Sequence, residues 1–205
     1  MSTSVRSVPA AATGAVFAVV LTVAAGDGGT ISAPQHVAAA AALTLLIPFT
    51  TYVGLVLHTR ARQATDTWLA VTAVATGAVG ACVKLLSEAP DIARSDSSVT
   101  AASQTSAALE AVAGTTTILA LVPLAVFAFA TGVAALRTGA LPRWLGVGSL
   151  MTGAALAVNA CFLHTENVPA LLVLSLWCLL ASAHLVRASR RHEVTEDAMS
   201  VTSPA

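Results

Sequence analysis

"ALRTGALPRWLG", residues Ala135 to Gly146, places two arginines, two glycines and a proline between two long apolar runs. Glycine is favoured just past a helix end, where the chain turns left-handed, and proline fits a helix's first turn. Gly139 is therefore expected to end one helix and Pro142 to start the next. Arg137 and Arg143 bracket the turn, and Trp144 stands where an interfacial aromatic belongs. The stretch reads as a tight basic turn between two membrane-crossing helices.

Working outward, the hydrocarbon core of a bilayer is crossed by roughly 20 apolar helical residues. Six segments qualify: 9–25, 37–57, 68–86, 104–136 (apolar from about 115), 144–163 and 168–186. Of the 205 residues, 56% are hydrophobic and only 10% are charged. A soluble domain carries about a quarter charged residues, and the mean hydropathy of +0.81 is far too apolar for one. The expected fold is all-α: a single six-helix transmembrane bundle over 1–187, with 188–205 as a disordered cytoplasmic tail. Ten basic residues balance ten acids, which argues against a nucleic-acid partner. Cys82, Cys161 and Cys178 lack metal-ligand spacing, so no metal site is expected, and they read as small residues packing between helices.

Orientation follows the basic residues. Arg6, the pair Arg60 and Arg62, the pair Arg137 and Arg143, and the group Arg187, Arg190 and Arg191 fall at alternate joints. Six crossings with both termini in the cytoplasm give this pattern, in the inner membrane of a bacterium. A competing reading makes the first segment a signal peptide ending near "TVAAGDG", which would leave five crossings; the intact mass of the purified protein separates the two. Pro48 and Pro123 fall inside the second and fourth segments, where each would remove a backbone bond.

In lipid, small residues mark the faces on which helices meet. Ala73, Gly77 and Ala81 form such a row in the third segment, and Lys84 extends it. Ser149, Gly153, Ala157 and Cys161 form another row in the fifth, with Asn159 just beside it. The assigned orientation gathers Lys84, Glu88, Asp91, Glu110, Asn159, His164 and Glu166 in the outer half, with Asp27 and His36 on the same side. Two readings of Lys84 follow. It is one wall of an outward pocket, or its stem reaches the headgroup layer from a helix end, with Glu88 as an ordinary partner four residues on. Glu110 either lines the pocket or projects on a long helix into the outer aqueous phase. His36, His58, His164 and His184 would bracket a pair of haems, but His36 and His58 lie about 33 Å apart along one helix. All four fall at helix ends, so no cofactor is expected.

No nucleophile elbow, metalloprotease helix, phosphate loop or dinucleotide fingerprint occurs. Three functions remain. One is a non-catalytic protein that binds or passes a small lipophilic molecule through the outer pocket, with Lys84, Asn159, His164 and Asp91 as ligand-binding residues. Another is an intramembrane acid–base enzyme acting on a prenyl-type substrate, with Glu110 and Glu88 as general acid and base. The last is an assembly partner whose small-residue faces dock another membrane protein or a second copy.

Two resemblances bear on these readings. "ALRTGALPRWLG" resembles the cytoplasmic helix–turn–helix junction of many small actinobacterial multi-pass membrane proteins, which implies topology and no activity. The bundle also resembles integral-membrane terpene cyclases in architecture, which implies carboxylates at work among helices. Those enzymes generally have seven helices, and their acidic positions do not map onto this chain.

Overall fold

A computed structural model describes residues 8–25, 33–94, 103–163 and 168–201. Among them there are helices and no strands: α1 (Val8–Ala25), α2 (Ala33–Thr59), α3 (Ala64–Arg94), α4 (Ser103–Thr138), α5 (Arg143–Val158) and α6 (Val168–Val201). A π-helical turn, Asn159–Leu163, continues α5. The all-α bundle is as expected. Five of the helices are long and apolar enough to cross a membrane, while the apolar part of α1, Val8–Val23, is shorter. The 18 residues of α1 reach about 27 Å at the helical rise, just under a typical hydrocarbon core.

Each helix packs on the next in sequence, and α1 also packs on α6, so the six close into a ring. Contact is densest between α3 and α4 and sparsest between α5 and α6. The α4–α5 hairpin forms as its sequence dictates. Gly139 takes φ +66°, and its N–H donates to the Ala135 carbonyl at 3.0 Å. A side chain at that φ would be strained, which is why glycine stands there. Pro142 then caps α5 and receives the N–H groups of Leu145 and Gly146.

The middle of the ring is filled by aromatics. Trp177 from α6 meets Phe49 from α2 edge-on at 6.2 Å and Phe127 from α4 edge-on at 5.8 Å. Its indole N–H donates to the Leu145 carbonyl of α5 at 3.3 Å. One side chain thereby ties four helices, and edge-to-face packing is the geometry aromatic quadrupoles favour. Around this plug, glycine lets backbones close in: a side chain at Gly77 would meet Thr50 and Phe127.

Three elements depart from expectation. α3 runs on past Leu86 to Arg94, so Glu88 and Asp91 lie on helix rather than in a loop. Pro90 sits inside this extension, which is otherwise built of residues a helix tolerates. α6 likewise continues to Val201 through the stretch read as a disordered tail; that stretch holds no glycine or proline before Pro204. Of the cysteines, only Cys178 packs between helices, while Cys82 and Cys161 face outward. Cys82 is one position past Ala81 on the buried row, and the π turn rotates Cys161 away from it.

Candidate functional site

The two ends of the ring differ. At the end bearing Arg62, Arg137 and Arg143, hereafter the basic end, Asp66 of α3 is buried. Arg137 of α4 donates to it from Nε at 2.9 Å and to Gln63 at 3.2 Å. The backbone N–H of Arg62 also points to Asp66, at 3.4 Å. This clamp joins the α2–α3 turn to the end of α4. Trp68 and Trp144 stand exposed at the same end, as interfacial anchors would.

Toward the opposite end, the row Ala73, Gly77, Gly80 and Ala81 faces the bundle, and Lys84 continues it at 7% exposure. The ammonium reaches one turn along its own helix and across to α4. It donates to Ser87 Oγ at 2.8 Å, to Glu88 Oε1 at 2.8 Å and to Thr117 Oγ1 of α4 at 3.4 Å. An ammonium has three donors, and each has an acceptor here. The Ser87 hydroxyl in turn donates a hydrogen bond to the Lys84 carbonyl at 2.7 Å.

Glu88, also buried, turns its second oxygen to His36 of α2, whose Nδ1 lies 3.0 Å from Oε2. The group therefore links α2, α3 and α4. It continues along α3: Arg94 donates to Asp91 at 3.3 Å and lies 3.9 Å from Glu110 of α4. With the Glu110 side chain 60% exposed, that last contact is a weak surface pair.

Of the residues singled out in the sequence, the structure brings Lys84, Glu88 and Asp91 onto one stretch of α3. Glu110 joins them only through Arg94, at the rim. Asn159 is buried at the start of the π turn, which packs on α4. His164, Glu166 and Asp27 lie outside the described residues. His36 was set aside in sequence as a helix-end histidine, yet it completes the group. The only signal available was its place on the same side as Glu88, since 52 residues separate them. Asp66 went unnoticed because a single acid in a basic joint looks like ordinary surface. No family model, curated protein or solved structure matches the chain.

Proposed function

We propose that this multi-pass protein sits in the cell membrane with its basic end in the cytoplasm, and that it binds a small lipophilic molecule with a polar head at the outer end of the bundle. One observation carries the reading: Lys84, Glu88 and His36 are held among apolar helices away from the basic end. A buried ion pair seldom stabilises a protein better than well-packed apolar side chains would. Ionisable groups within membrane helices are kept for what they do.

The surroundings favour a lipophilic partner. Leu43, Ala81, Ala120 and Leu121 line the same helices beneath the charged group. Below them, Phe49, Trp177 and Phe127 close the middle of the ring. That plug favours binding over passage. The acid–base reading would need Glu88 to release both Lys84 and His36, and it would need Glu110 to leave the exposed rim. The binding reading asks no proton transfer of the group.

Lipid extracts of the purified full-length protein test this. Wild type is expected to carry a specific molecule that the Lys84→Met/Glu88→Gln double variant, of similar melting temperature, lacks. Indistinguishable extracts would refute the reading.

A further inference from the structure

Beyond the Lys84–Glu88 pair, the group offers ligand atoms to a cation. A ring nitrogen of His36, a Glu88 oxygen and an Asp91 oxygen all lie within 4.8 Å of one another. Glu88 and Asp91 are three residues apart and share a face of α3; His36 comes from the first turn of α2. Nitrogen and oxygen ligands sit about 2.0–2.2 Å from a zinc-like ion, which places adjacent ligand atoms roughly 3–3.5 Å apart. The 3.0 Å between His36 Nδ1 and Glu88 Oε2 already matches one edge of such a polyhedron. The Asp91 oxygen lies within 4.8 Å of both partners, and side-chain rotation can bring it closer.

A further feature fits a cation. Metal-binding carboxylates are usually held by outer partners. Here Lys84 grips Glu88 by Oε1, leaving Oε2 beside the histidine, and Arg94 holds Asp91.

We propose that His36, Glu88 and Asp91 form a site for one divalent transition-metal ion of the zinc type, with a fourth position open to water. The ion pins the start of α2 to the end of α3. His36 binds through Nδ1. The inference stands without the lipophilic ligand, since the ion would bind an otherwise empty bundle.

The test uses full-length protein purified in mild detergent, with Cys82 and Cys161 replaced by serine and metal stripped by chelation. Zinc is titrated calorimetrically, and bound metal is counted by elemental analysis. About one ion per chain is expected in the wild-type site. His36→Ala and Asp91→Asn should each weaken binding by about tenfold or more, while Glu110→Gln, outside the ligand set, keeps it. Should His36→Ala misfold, the half-buried Asp91→Asn decides alone. Absence of stoichiometric binding, or variants that bind as tightly as the parent, would overturn the assignment.

Discussion

Lys84 Nζ lies 2.8 Å from Glu88 Oε1, one turn along α3, with both side chains more than nine-tenths buried. Breaking a buried pair from one side leaves an uncompensated charge, at a cost of about 3–5 kcal/mol. Lys84→Met should therefore lower the melting temperature in detergent sharply. Adding Glu88→Gln removes the stranded charge and should restore most of the loss. A single variant as stable as wild type would show that the pair carries no energetic weight.

Two helical glycines should respond oppositely to alanine. A Cβ at Gly77 would fall 2.7 Å from Thr50 Cγ2 and 3.1 Å from Phe127 Cδ2. Thr50 is β-branched and stiff, so overpacking costs about 1–3 kcal/mol, against a gain in helix propensity of about 1 kcal/mol. At Gly148 the nearest atom is Trp177 Cδ1 at 3.7 Å, which is ordinary contact. Gly148→Ala should be neutral or stabilising and Gly77→Ala destabilising, as thermal melts would read. The reverse order would mean that the α2–α3–α4 packing is wrong.

At the basic end, the Asp66–Arg137 clamp should matter moderately. Asp66 is buried, but the Arg137 side chain is 45% exposed, so water recovers part of any loss. Arg137→Ala is expected to cost about 1–2 kcal/mol, and the difference from wild type should shrink in high salt. Gln63→Ala, which removes only the outer bond, should stay within about 0.5 kcal/mol. Chemical unfolding of the three proteins side by side checks the ranking.

Much of the fold was legible because each signal was local. Gly139, Pro142 and the two arginines specify the α4–α5 turn within a dozen residues. The small-residue row on α3 brings Lys84 to the inward face through helical periodicity alone. What escaped reading depends on contacts between distant segments. Nothing near His36 reveals that Glu88 will meet it across two helices. Lys84 looked like a helix-end lysine because Glu88, Pro90 and Asp91 resemble a loop, yet charged residues continue a helix readily when its other faces pack. Asn159 fell beside the expected row because drift in the four-residue pattern and the π turn move the buried face of α5 to Leu156, Asn159 and Ala160.

The account depends on the charged group facing away from the cytoplasm. In a background with Cys82, Cys161 and Cys178 replaced by serine, single cysteines at Glu110 and at Arg60 can be probed in intact cells with a membrane-impermeant maleimide. Glu110→Cys should label at once and Arg60→Cys only after lysis. Labelling of Arg60→Cys in intact cells, with Glu110→Cys protected, would put the His36–Glu88–Lys84 group on the cytoplasmic side and contradict the account.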